Sequence, residues 1–162
     1  MLVNNTIDDV YGDSTTGLLP TYSPSKQWVV GSTCTTCSIY PGNLGFHGSG
    51  DASAEVDVTQ AFMQTWHNYA YSAGEHPVNI SVPFVGQAVY VYQIIVNAVQ
   101  NNTTNTSLAF ALDGTAVGEY THTADPVGPR LLYNVPVYAN PSLLPGEHIL
   151  TIYTNNTKGS FI

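Results

Sequence analysis

The sequence predicts an all-β domain built as a two-sheet antiparallel β-sandwich. Helical periodicity is nearly absent: apolar residues recur at every second position or in short β-branched and aromatic runs, separated by Gly, Pro, Asn and Asp. Asp113-Gly114, set between two apolar runs, is the strongest hairpin signal in the chain. Only 9% of residues are charged against a norm of about 25%, so the polar surface must come from Thr, Ser, Asn and Tyr, which suits an extracellular β protein.

In chain order, short strands are expected at residues 6–10, 27–30 and 61–66, joined by Gly-rich loops such as 42–51. Residues 78–82 alternate cleanly, which places Val78, Ile80 and Val82 inward and Asn79 outward. Residues 88–96 lack strict alternation, the pattern of a strand covered on both faces or of a central strand in a sandwich. Residues 108–112 and 115–120 flank the Asp113-Gly114 turn, and residues 132–138 and 148–153 complete the set. Pro126, Pro129, Pro141 and Pro145 punctuate the connections, and Pro136 inside a strand marks an edge or a bulge. Eight or so strands at this spacing favour a sandwich over a barrel or propeller, and 162 residues fit a single domain, 1–162.

Charge and length exclude several functions. The net charge is −8 with three basic residues, Lys26, Arg130 and Lys158, too few to neutralise a row of phosphates, so nucleic acid and anionic membranes are not expected partners. The longest apolar stretch, residues 88–99, is too short and too polar to cross a bilayer. Asn-x-Ser/Thr triplets occur at Asn4, Asn79, Asn101, Asn102, Asn105 and Asn155. These six exceed the about 2.4 that random order gives for 13 Asn and 30 Ser plus Thr, which points to N-glycosylation and an extracellular location. Cys34 and Cys37 sit in a Gly/Ser/Thr-rich loop and read as a local disulfide. A redox pair or free thiols are the alternatives, and a zinc site would need a second ligand pair.

Several phrases together carry a resemblance: Ile7-Asp8-Asp9, Tyr22-Ser23-Pro24, Trp28, Gly31-Ser32-Thr33-Cys34-Thr35-Thr36-Cys37, Thr65-Trp66-His67, Phe84-Val85-Gly86-Gln87-Ala88-Val89-Tyr90-Val91, Leu112-Asp113-Gly114 and Tyr133-Asn134-Val135-Pro136-Val137. Over nearly the whole chain the sequence resembles a family of secreted or membrane-anchored proteins of mushroom-forming fungi (basidiomycetes), whose extracellular part is similar to the galactose-binding-like jelly roll. The resemblance implies a sandwich of nine or ten strands, a local disulfide and, in longer members, a Ser/Thr-rich stalk leading to one membrane anchor. It implies no settled activity. Against the family pattern, no signal peptide is expected at the start, and the final strand is expected to be truncated at Gly159-Ser160-Phe161-Ile162.

The densest binding candidate is Trp66, His67, Asn68, Tyr69 and Tyr71, because sugars are held by aromatic faces and by amide or imidazole groups that bond hydroxyls. The competing reading puts Trp66 in the core and Tyr69 and Tyr71 at a sheet edge. Asp8, Asp9, Gly12 and Asp13, and separately Asp51, Glu55 and Asp57, offer oxygens to a structural calcium ion, although Asp beside Gly also makes turns. No resident cofactor and no other metal are expected. His47, His67, His76, His122 and His148 are scattered, with no His-Glu-x-x-His and no Gly-x-Ser-x-Gly, so no catalytic residue is nominated. The leading expectation is an extracellular carbohydrate-binding or adhesive module whose partner is a glycan or cell-wall polysaccharide. A purely structural surface domain is the alternative, and a polysaccharide-active enzyme with a carboxylate pair across a groove is the third class.

Overall fold

A computed structural model describes residues 3–37, 39–42, 54–69, 78–97 and 105–154. Its strands are β1 (Ile7–Asp8), β2 (Gly12–Asp13), β3 (Thr21–Ser23), β4 (Val29–Val30), β5 (Ile39–Pro41), β6 (Ala54–Val56), β7 (His67–Asn68), β8 (Asn79–Gly86), β9 (Val89–Val96), β10 (Thr106–Leu112), β11 (Thr115–His122), β12 (Leu131–Asn140) and β13 (Gly146–Thr154). A five-stranded sheet runs β11-β10-β13-β8-β3, and β9 pairs with β12 to form the facing layer. All of these pairings are antiparallel. The fold is an all-β sandwich, as the sequence predicts.

Side-chain alternation explains how the layers meet. Phe84 of β8, Leu108 and Phe110 of β10, and Leu150 and Ile152 of β13 point from the large sheet at Ile95 of β9 and Val137 of β12. Leu108, Phe110 and Ile95 are completely buried, and burying a side chain of this size contributes about 1.5–3 kcal/mol. A second cluster joins Ile39, Val56, Ala61 and Trp66 to Val96 and Leu131, and a third joins Trp28, Tyr69 and Val78.

The Asp113-Gly114 hairpin forms as expected, with both residues at positive φ (50° and 80°), the conformation that a two-residue turn of matching twist requires. Pro136 sits beside a register shift between Pro136 and Tyr138, so its missing donor falls at a bulge. Pro83 of β8 pairs with Ile149 on one side and lies beyond the stretch of β8 that β3 covers.

Two expectations need correction. Residues 61–66 are not a strand: 3-10 turns occupy Val58–Gln60 and Phe62–Gln64, with β7 starting only at His67. The Asp57 carboxylate caps the first turn, accepting from Thr59 N at 3.0 Å, and Met63 and Gln64 take φ of 50° and 61°, which no strand accommodates. Nor is β9 covered on both faces along its length. Tyr90 and Tyr92 face solvent, and only the end at Ile95 and Val96 is enclosed, where the Trp66 cluster reaches it. The neighbouring Asn97 anchors that end: its Nδ2 donates to Pro129 O at 2.8 Å, and its Oδ1 accepts from Asp125 N and His122 Nε2, each at 2.9 Å.

At the opposite end, His148 Nδ1 donates to Asp113 Oδ2 and its Nε2 to Leu144 O, each at 2.8 Å. Both partners only accept, so both ring nitrogens must carry protons, which is the imidazolium form. The Asp113 hydrogen bond, then that to Leu144, raises the His148 pKa above 6.5; the His148 and Ile149 hydrogen bonds lower that of Asp113 below 3.8. The His148 contribution to stability is therefore complete below pH 6.5 and disappears as pH rises through its raised folded value. The Asp113 contribution is complete above pH 3.8 and disappears as pH falls through its lowered folded value. In urea titrations the deficit of His148→Gln relative to the parent is expected to be largest near pH ~5 and to shrink towards pH ~9. A deficit independent of pH would show that the proton plays no part.

Candidate functional site

The site begins with a tight hairpin. Asp8 Oδ1 accepts from Val10 N at 2.9 Å and Tyr11 N at 2.7 Å, the local bonding by which Asp makes turns. Gly12, at φ 71°, closes the hairpin against Leu18 O, where a Cβ atom would sit 2.3 Å from the oxygen. Asp13 organises the next loop: it accepts from Thr15 N at 2.8 Å, from Thr16 Oγ1 at 2.6 Å and from Asn5 Nδ2. These bonds, that from Thr16 foremost, hold its carboxyl below the usual carboxylate range.

Asp9 is directed elsewhere. Its Oδ2 accepts from His67 Nδ1 at 2.7 Å, its Oδ1 from Thr65 Oγ1 at 2.7 Å, and its backbone oxygen from the Tyr22 hydroxyl at 2.8 Å. The Tyr22 ring stacks on His67 with centroids 3.9 Å apart and an angle of 17°. Burial first, and then the negative charges of Asp9 and Asp8, push the Tyr22 phenol above its ordinary pKa. The Thr65 hydroxyl also lies 3.0 Å from Asp8 Oδ2. The hydroxyl thus bridges the two carboxylates, with its shorter contact to Asp9.

These groups form one wall of a cavity of about 250 Å³. Ile80 and Val82 of β8 and Ile152 of β13 form another wall, and residues 91–94 of β9 close the side towards the second layer. Phe62 and Tyr92 also line it and are 53% and 59% exposed, which places them at the rim. Gln93 contributes an Oε1 atom that is buried with no hydrogen-bond partner among the described residues.

The sequence-nominated cluster divides. His67 joins the network and Trp66 lines the cavity, but Trp66, Asn68 and Tyr69 are only 8%, 2% and 6% exposed. Tyr69 donates from its hydroxyl to Gln27 Oε1 at 2.9 Å and packs 5.4 Å from the Trp28 ring. These three side chains therefore offer no open stacking face, and Tyr71 lies outside the described residues. Of the residues nominated as calcium ligands, Asp9 meets His67, and Asp8 accepts from Val10 N, Tyr11 N and Thr65 Oγ1. Among the described residues no three carboxylate, imidazole or thiolate groups converge on a metal position; Asp51 lies outside them. Sequence reading did not nominate Thr65, Phe62, Tyr92 or Gln93, because nothing in their local spacing signals a shared wall.

Of the glycosylation candidates, Asn4 is exposed, Asn79 and Asn105 are half-buried, and Asn101, Asn102 and Asn155 lie outside the described residues. Asn105 Oδ1 accepts from Ala124 N at 3.0 Å. Cys34 and Cys37 are joined by a disulfide, as the sequence suggested. Comparison with known family models, curated proteins and solved structures finds no match for this chain.

One close approach holds the wall in place. Gly31 N donates to Trp66 O at 2.8 Å, and the indole edge lies over Gly31, where a Cβ atom would be 1.8 Å from Nε1. Gly31→Ala is expected to lower stability in a denaturant titration by about 1–3 kcal/mol or more. Gly146→Ala, whose Cβ meets nothing within 4 Å, should change it by less than about 0.5 kcal/mol. Equal effects would remove Trp66 packing as the reason for glycine at position 31.

Proposed function

We propose that this domain is an extracellular carbohydrate-binding module and that the cavity between its layers is the ligand site. One observation carries the reading: a small concave site combines an exposed aromatic rim, Phe62 and Tyr92, with convergent polar groups, Asp8, Asp9, His67 and Gln93. Aromatic faces pack on the C–H faces of a sugar ring, and fixed acceptors take its hydroxyl protons. The volume lies just below the roughly 300–1,000 Å³ of pockets for drug-sized ligands, a scale that suits one or two sugar rings.

Extracellular placement is supported by the disulfide, which persists in oxidising compartments, and by the excess of Asn-x-Ser/Thr triplets, of which Asn4 is exposed. The resemblance to secreted or anchored proteins of mushroom-forming fungi supports the same compartment, and a glycan or cell-wall polysaccharide is the partner this reading proposes. Among the described residues no helix is long and apolar enough to cross a membrane.

A glycan array probed with and without calcium tests the reading. The wild-type domain is expected to bind a defined subset of glycans, and Tyr92→Ala and Phe62→Ala to weaken that binding by roughly tenfold each. Both side chains are more than half exposed, so the thermal midpoint should stay within about 2 °C. Silence on a broad array in both conditions would overturn the proposal in favour of a purely structural surface domain.

A further inference from the structure

The outer face of β9 continues the rim of the cavity. Successive side chains of a strand point to opposite faces, so Tyr90 and Tyr92 share one face, about 7 Å apart along the strand. They are 53% and 59% exposed. Their cross-strand neighbours on β12 are Ala139 and Pro136, compact side chains that are themselves exposed and leave the two phenol rings uncovered. Among the described residues neither ring stacks on another aromatic.

The cavity opens onto this face. Its lining includes Tyr92 and, from β12, Asn134, an exposed residue at φ 52° within a register shift. Such a bulge re-aims a side chain, and this one brings an amide, which both donates and accepts, to the mouth of the cavity. In the antiparallel register the exposed positions then follow one line: Asn134, next Tyr92 opposite Pro136, then Tyr90 opposite Ala139. Phe62 flanks the start of that line at the rim. A single sugar held in the cavity would meet Tyr92 and leave Tyr90 unused, about one ring further along.

The chemistry of the line defines its occupant. It carries no charged side chain, and the carboxylates at its cavity end are already engaged, Asp8 by Val10 N, Tyr11 N and Thr65 Oγ1, and Asp9 by His67 and Thr65. The net charge of −8 repels an anionic polymer. Aromatic faces repeated along a straight strand suit rings repeated along a straight chain. From this track we infer that the ligand is a neutral, extended polysaccharide that runs along β9, with one portion in the cavity and the next over Tyr90. This rests on the carbohydrate-binding reading of the same cavity, and the experiment separates the two.

Calorimetric titration would compare dimer with tetramer in three series: cellobiose and cellotetraose, diacetylchitobiose and its tetramer, and maltose and maltotetraose. The first two are straight chains and the third coils. At least one straight series is expected to bind, its tetramer about tenfold more tightly than its dimer, beyond the roughly threefold that the extra registers of a tetramer supply. Tyr90→Ala, at an exposed position, should reduce the gain to that threefold with dimer affinity unchanged, whereas Tyr92→Ala should weaken dimer and tetramer alike.

Equal binding of dimer and tetramer, a gain that survives in Tyr90→Ala, or an equal gain in the coiled series would overturn the extended-chain assignment while leaving a carbohydrate-binding module. Failure of both straight series beside an array positive for other glycans would do the same. Failure of all three, with the array silent, would overturn both.

Discussion

The structure depends on a broad sheet meeting a narrow one. The inner face of the five-stranded sheet is apolar along β8, β10 and β13, and among the described strands the β9–β12 pair lies against it. Ile95 and Val137 seal its middle against Leu108, Phe110 and Leu150, but two strands do not reach across five. What remains of the inner face must be covered by something other than regular sheet, since apolar surface left in water is costly. Trp28 and Tyr69 pack beside β8 with Val78 and Ile80, while Ile39, Val56 and Trp66 pack on Val96 and Leu131 at the end of the narrow layer, so described segments outside the two sheets extend the core on both sides.

Coverage by irregular segments has a chemical consequence. A strand satisfies its backbone groups through its neighbours, whereas a loop over a core needs side chains to do so. Asp8, Asp13 and Asp57 each accept from backbone N–H groups nearby, which lets loops lie against apolar surface. Once such carboxylates are committed to loop building, a cavity beside them inherits their charge. Asp9 is the member of this group whose partners come from distant parts of the chain, Thr65, His67 and Tyr22, so it ties three segments together where the cavity forms.

The disulfide fits this arrangement without governing it. It closes a loop of four residues just after the turn at Gly31, and a closure that short restricts the unfolded chain by less than the roughly 3 kcal/mol of a 15-residue loop. Packing of Trp66 over Gly31 and the polar network around Asp9 are the stronger constraints on the site wall.

The sequence by itself determined the regular half of the protein. From residue 78 onward the alternation, the Asp113-Gly114 turn and the placement of Pro136 all depend on neighbours within a few residues, so local patterning was enough to read the strands there. It also determined the charge class, which follows from composition, and the spacing of three between Cys34 and Cys37 suggested the disulfide that the structure contains. The site was decided by tertiary structure alone. Trp66 and Tyr69 look identical in sequence whether they face solvent or core, and only the covering of the inner face buries them. Asp9 and His67 are separated by 58 residues and meet because the β1–β2 hairpin folds back onto β7, a contact that no local period encodes. Tyr92 and Gln93 follow the same logic: their strand was legible, but which side chain would line a cavity depended on how far two strands can cover five.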